Sequence, residues 1–156
     1  MATFVILHNI RSAHNVGSIF RTADGAGVSK IFITGYTPAP TDRFGRENAE
    51  IAKTSLGATH TVPYEVVEDI AVVIKSLKEA GVQIVAVEQT QRAVEYTKFE
   101  QTGDIAFIFG NEITGVEEDV LELADVHIQI PMSGAKESLN VSVCAGVVLF
   151  HFRNNQ

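Results

Sequence analysis

VHIQIPMSGAKESLNVSVCAGVVLFHFR, residues 126–153, falls into three parts, and the rest of the chain is arranged around it. Val126 to Ile130 alternates apolar and polar residues at period two, which predicts a half-buried strand. Pro131 has no N–H for a ladder and ends it. A loop of small residues follows, and from Ser138 the pattern turns helical. Leu139, Val141, Val143, Cys144, Ala145, Val147, Val148, Leu149, Phe150 and Phe152 cover every side of a wheel. A helix with no solvent face belongs at the centre of a core or against a second subunit. Its polar residues, Ser138, Asn140 and Ser142, are expected in its first turn. Strand, loop and helix start together place free N–H groups and a positive dipole end at a crevice. An ordinary buried C-terminal helix with a serine cap is the plainer alternative, and this stretch alone leaves both open.

Upstream, strands and helices alternate. Thr3 to Leu7 reads as a buried strand, His8 to Asn15 as a polar loop, and the chain from Val16 as a helix with Ile19, Phe20 and Ala23 inward and Gly25 and Gly27 at its end. Lys30 to Thr34 is the next strand, so β-α-β within 35 residues predicts a parallel pair. Gly35 to Arg46 is turn-rich and carries two arginines with Tyr36 and Phe44, either a substrate loop or a solvated connector. Helix is expected over 47–55, a short edge strand over 61–64, an amphipathic helix over 66–80 closed by Gly81, and strand over 82–87. After a polar stretch, Asp104 to Phe109 is a further buried strand and Glu117 to Leu123 a helix. The alternation predicts an α/β sandwich with a mostly parallel sheet and helices on both faces. Three polar loops at strand ends, after Leu7, Phe109 and Ile130, are expected to converge.

The 156 residues fit one domain, 46% apolar and 20% charged, without an apolar run that spans a bilayer or a secretory signal. One cysteine forms no internal disulfide, and a reducing cytoplasm is the expected location. Net charge is −7, but residues 1–60 carry +2 and residues 61–156 carry −9. A polyanion should therefore meet the N-terminal third.

Several chemistries are excluded. Gly110 to Val116 lacks the Lys and hydroxyl of a phosphate loop, and Gly25-Ala26-Gly27 closes a helix instead of opening one, which disfavours a dinucleotide fingerprint. The five histidines show no metal-ligand spacing, no nucleophile elbow is present, and no metal is expected.

Asn15-Val-Gly-Ser-Ile-Phe-Arg21-Thr-Ala, Phe109-Gly-Asn-Glu112-Ile-Thr-Gly115 and Ile130-Pro-Met-Ser-Gly-Ala-Lys-Glu-Ser138-Leu-Asn140-Val-Ser, in that order, resemble the three motifs of the SpoU, or TrmH-like, RNA methyltransferases. Lys53 to Ala58 resembles the segment between them, so the resemblance spans nearly the whole chain. It implies a SPOUT-type fold with a C-terminal trefoil knot, which the residues alone do not predict. It also implies S-adenosylmethionine (AdoMet) as cofactor, S-adenosylhomocysteine as product, and methylation of a ribose 2′-hydroxyl in RNA. Cofactor contacts are expected at Val87, Glu88, Gln89, Gly110, Ile130, Met132, Ser138 and Leu139, and catalytic roles at Arg21, Asn15, Glu112, Ser138 and Asn140. Arg21 is the family's position for the group that handles the hydroxyl proton, as a base or as a grip on phosphate and developing alkoxide. Asn15 and Asn140 would orient it or the ribose, and Glu112 would hold it or the substrate. The chain is expected to be a near-minimal catalytic domain, residues 1–156, without an additional RNA-binding domain. A homodimer through the last helix and the helix bearing Arg21 is expected, with Arg21 serving the partner's cofactor and Gly17 and Ser18 beside it allowing close approach. Transfer RNA is the preferred substrate and ribosomal RNA the alternative; a non-catalytic RNA-binding or assembly module is the rival reading.

Overall fold

The middle of the sheet is β6 (Ile105–Phe109), IAFIF, all five residues buried. Alternate residues of such a strand point to opposite faces, so a strand covered on both sides reads as a continuous apolar run. Ile105, Phe107 and Phe109 join one core and Ala106 and Ile108 the other. The computed structural model describes residues 1–153. In chain order the elements are β1 (Thr3–His8), α1 (Ala13–Ala26), β2 (Lys30–Thr34), α2 (Ala49–Ser55), β3 (Tyr64–Val66), α3 (Ile70–Glu79) and β4 (Gln83–Val87). Then come β5 (Val94–Glu95), β6, α4 (Glu118–Leu123), β7 (Val126–Gln129) and α5 (Val141–Phe152). The sheet order is β3-β2-β1-β6-β4-β7-β5, and every pairing is parallel. α1, α2 and α5 cover one face, α3 and α4 the other. The expected α/β sandwich is therefore present.

From β1 the chain steps outward through β2 to β3, then returns to build the other half beyond β6. The strand order thus reverses between β1 and β6, which opens a crevice at their carboxyl ends. In the second half, the connection from β4 to β5 passes β7, which lies between those strands. Gln89 on that connection donates from Nε2 to the Glu137 carbonyl, 2.6 Å away on the segment that leaves β7. This order is compatible with the trefoil crossing that the resemblance implies.

Four boundaries differ by three residues or more from those read in the sequence. α1 starts at Ala13, three residues early, because the Ser12 side chain caps it by accepting the Asn15 N–H. The edge strand sits at Tyr64–Val66 instead of 61–64, since Thr61 and Val62 close a turn onto the Ala58 carbonyl before Pro63. α3 starts only after the Asp69 cap, not at Val66. α5 starts at Val141, because Asn140 caps it and accepts from Ser142 N at 2.9 Å and Ser142 Oγ at 2.6 Å. Ser138 is consequently in the loop, not in the first turn. β5, two residues inside a polar stretch, gave no periodic signal. Nor is α5 enclosed on all sides: Ala145, Val148, Leu149 and Phe152 are buried, but Val143 is 52% exposed and Phe150 41%. Among the described residues no helix is long and apolar enough to cross a membrane.

A cofactor-shaped cavity beside the β1–β6 crevice

The loops after β4, β6 and β7 and the start of α5 enclose a cavity of about 280 Å³. Val87, Glu88, Gln89, Gly110, Ile130, Met132, Ser138 and Leu139, the eight expected cofactor contacts, all line it. Glu112 stands in its wall as well, while Asn15, Arg21 and Asn140 do not line it. No residue of the loop after Leu7 lines the cavity; that loop is instead hydrogen-bonded to Asn111 and Glu112 in its wall, and the loop after β4 takes the third place in the lining.

Close backbone packing shapes the cavity. A Cβ on Gly110 would lie 2.7 Å from both Gly115 C and Val116 N, so only glycine lets the loop after β6 fold back on itself. Glu88 anchors that fold: one carboxylate oxygen accepts from Val116 N at 3.0 Å and the other from Gln89 N at 3.1 Å. Asn111, buried, completes it, with Oδ1 accepting from Ile113 N and Thr114 N at 2.8 and 2.9 Å. Its Nδ2 donates to the Asn9 carbonyl at 3.0 Å and the Tyr36 hydroxyl at 2.9 Å, tying the β1 and β2 loops to the β6 loop. The sequence reading passed over Asn111. The signal was available in the Gly-Asn-Glu run, since an Asx turn is a common use of asparagine in a tight loop.

Glu112 turns its carboxylate toward the start of α1. Oε2 accepts from Arg11 N at 3.0 Å, and Oε1 accepts from Ser12 N at 3.0 Å and Asn15 Nδ2 at 3.3 Å. Burial pushes this carboxyl up, but the backbone N–H groups of Arg11, Ser12 and Glu112 itself and the Asn15 amide prevail together and hold it below the ordinary glutamate value. Glu112 therefore fixes α1 and Asn15, and makes no contact with Arg21. Arg21 is exposed on α1 and has no ion-pair or hydrogen-bond partner among the described residues. It is six residues beyond Asn15, roughly 9 Å further along the helix. Gly17, expected to leave room for a partner beside Arg21, instead faces α2, where a Cβ would meet the Ile51 carbonyl and Thr54.

Two further groups bear on the chemistry. Burial, aided by the Glu88 carboxylate, pushes the Cys144 thiol in the cavity wall up to about 12, which leaves it no thiolate for nucleophilic work near neutrality. Burial also lowers the His8 imidazole below its ordinary value, against the pull of Glu117 and Asp119, and its Nδ1 lies 2.8 Å from Thr34 Oγ1. No cluster of side chains suited to a metal ion occurs among the described residues.

Residues 2–150 match the model of the SpoU rRNA Methylase family. Similar curated proteins include the 23S rRNA (guanosine-2′-O-)-methyltransferase RlmB of Neisseria meningitidis serogroup B, 36% identical over 152 residues, with 97% of this chain and 58% of that protein covered. The protein of the same name from Pectobacterium atrosepticum is also 36% identical over 152 residues, covering 96% of this chain and 59% of its own. The chain thus spans under three fifths of the length of these relatives. Among solved structures, the A. aeolicus TrmH/SpoU tRNA modifying enzyme superposes with a TM-score of 0.82 at 30% identity over 95% of this chain and 72% of that one. The AdoMet-bound rRNA methyltransferase of Sinorhizobium meliloti gives 0.86 at 29% identity, covering 96% and 54%. A matched model over nearly the whole chain, three motifs in order and a cavity built from their residues place this protein in the SpoU methylase family.

Proposed function

We propose that this chain is an AdoMet-dependent RNA 2′-O-ribose methyltransferase whose substrate is ribosomal RNA. The observation that carries the reading is the cavity, lined by all eight residues expected to hold the cofactor. The donor set suits AdoMet. Among the described residues the N–H groups of Met132, Ser138 and Leu139 have no hydrogen-bond partner within the chain, so they are available to a ligand's polar atoms. Ile130, Leu139 and Val141 supply apolar wall for an adenine ring and a thioether. The expected preference for transfer RNA gives way, because the curated relatives are named for 23S rRNA. Transfer RNA remains the second reading, favoured by the tRNA modifying enzyme among the solved structures.

Bound AdoMet supplies an electrophilic methyl group, and the residues must bring a ribose hydroxyl in line with it and manage the hydroxyl's proton. A guanidinium stays protonated at neutral pH, so Arg21 acts by gripping the phosphate beside the target ribose and stabilising alkoxide charge as it develops. The proton leaves late or through water. Asn15 is a positioning residue, its amide held by Glu112, and Asn140 sets the start of α5 over the cavity.

Within one subunit Arg21 does not reach the cavity wall, and a second copy supplies the missing group. Val143, Val147 and Phe150 form a stripe along α5 at spacings of four and three, and Thr22 and Gly25 of α1 lie beside Gly146 and Phe150. Burying that stripe at ~25 cal/mol per Å² of apolar area favours a homodimer. Such a dimer sets the exposed Arg21 of one protomer against the partner's cavity.

The test is incubation with labelled AdoMet and ribosomal or transfer RNA separately, followed by nucleoside analysis. Label on a ribose of ribosomal RNA supports the reading, label on transfer RNA moves the substrate, and label on a base or on neither RNA removes it.

A further inference from the structure

The tip of the connection between β2 and α2 plays no part in the cavity, yet it is built with care. Thr41 and Glu47 pair as an antiparallel bridge and close a hairpin. Asp42 organises the hairpin's interior, with Oδ1 accepting from Phe44 N at 2.8 Å and Arg46 N at 3.0 Å, and Oδ2 from Arg46 Nε at 2.7 Å. The Asp42 N–H donates to the Arg46 carbonyl at 2.9 Å and the Gly45 N–H to the Asp42 carbonyl at 3.0 Å. Gly45 takes the left-handed turn position, φ 78. These bonds leave Phe44 at the apex, 67% exposed. The guanidinium carbons of Arg43 and Arg46 stand 4.8 and 5.1 Å from its ring centroid.

A large apolar ring held out in water by a hydrogen-bonded turn buries little area for the fold. Its neighbours say what it suits. Two guanidinium groups beside an aromatic face match an unpaired nucleotide, whose base stacks on the ring while its phosphates meet the cations. Arg46 is tied to Asp42, whereas Arg43 has no carboxylate partner among the described residues and is free to turn to a phosphate as a base takes its place on the ring. Charge favours RNA here over the rest of the chain: residues 1–60 carry +2 and the remainder −9, and although the hairpin itself is balanced, its Arg43 is the cation left without an ion-pair partner among the described residues. The same connection also reaches the cavity rim, for Tyr36 near its start bonds through its hydroxyl to Asn111.

We propose that the Asp42-organised hairpin is a clamp for an unpaired RNA base outside the methylated nucleotide, with Phe44 as the stacking platform and Arg43 and Arg46 as phosphate contacts. This rests on the RNA reading above and adds the element that grips the substrate.

The test uses the full chain, a short single-stranded oligoribonucleotide followed by fluorescence anisotropy, and methyl transfer to the RNA that the wild type modifies. Phe44→Ala is expected to weaken oligoribonucleotide binding and raise KM for RNA about tenfold, the scale of one lost base stack, with AdoMet affinity and kcat unchanged. Phe44→Trp should retain binding, and Asp42→Ala, which frees the tip without removing the ring, should weaken it in the same direction. Unchanged RNA affinity and KM in Phe44→Ala, with an active wild type, overturn the clamp and leave the methyltransferase reading standing. A wild type that neither binds nor methylates RNA overturns both.

Discussion

Glu112 Oε1 lies 3.3 Å from the Asn15 amide nitrogen and 3.0 Å from Ser12 N, so an acid from the β6 loop closes the start of a helix about a hundred residues earlier in the chain. Hydrogen bonds to a charged acceptor contribute more than neutral ones, and removing that acceptor strands the donors. Glu112→Gln keeps one carbonyl acceptor and loses the charge. It should lower stability by about 1–3 kcal/mol in denaturant unfolding, with reduced methyl transfer from a displaced Asn15. The pH dependence has a fixed sign. A carboxyl held below its ordinary value of 4.5 contributes stability that is present above that pH and lost as pH falls through the folded value. Acid unfolding below about pH 4.5 should therefore be shallower in Glu112→Gln than in the wild type, and parallel curves would contradict the capping role.

Gly110→Ala should damage the cavity without touching any polar residue. Its Cβ would press on the backbone at Gly115 and Val116, which Glu88 holds in place, so the loop must shift. Overpacking of this kind costs about 1–3 kcal/mol. Calorimetric titration should show AdoMet affinity falling at least tenfold while the far-UV circular dichroism stays native.

The proposed exchange of Arg21 between subunits predicts complementation. Arg21→Ala leaves its own cavity sound, and Ser138→Lys fills its cavity yet still lends Arg21 to a partner. The Arg21→Ala homodimer should have lost roughly 10²–10³ in rate, the scale seen when one transition-state donor is removed, and the Ser138→Lys homodimer its AdoMet binding. Co-refolded mixtures should recover activity in mixed dimers. If mixed dimers form and remain as inactive as their parents, Arg21 works within its own subunit or takes no part in the reaction.

The sheet and the helices were legible from local periodicity, and the cavity lining only through the resemblance of contiguous motifs to the SpoU family. β6 is readable as a buried strand from IAFIF, whereas Gly110, Ile130 and Leu139, which line the cavity, were expected there from the motif resemblance, since spacing alone reads the first two as plain strand ends. What was not legible depends on partners distant in sequence. Nothing in NEITG says that Glu112 will reach Arg11 and Ser12 instead of Arg21, since that follows from β1 and β6 being neighbours, which the strand order decides. Gly17 looked like a small residue on the partner face, and only the packing of α2 reveals that Thr54 occupies the space beside it. Helix starts were misplaced for a related reason. Ser12 and Asn15, or Ser138 and Asn140, are equally good cap residues in isolation, and tertiary placement of the loop chooses between them.

The methyl group is expected on a ribose hydroxyl. Once the methylated nucleotide has been located, the direct measurement is transfer of label from AdoMet to a synthetic RNA carrying a 2′-deoxyribose at that single position, with binding of the same RNA measured in parallel. The hydroxyl is the acceptor in this account, so the substituted RNA should bind with little change and accept no label at that site. Label at the substituted nucleotide at the rate of the unmodified RNA would place the methyl on a base and contradict it.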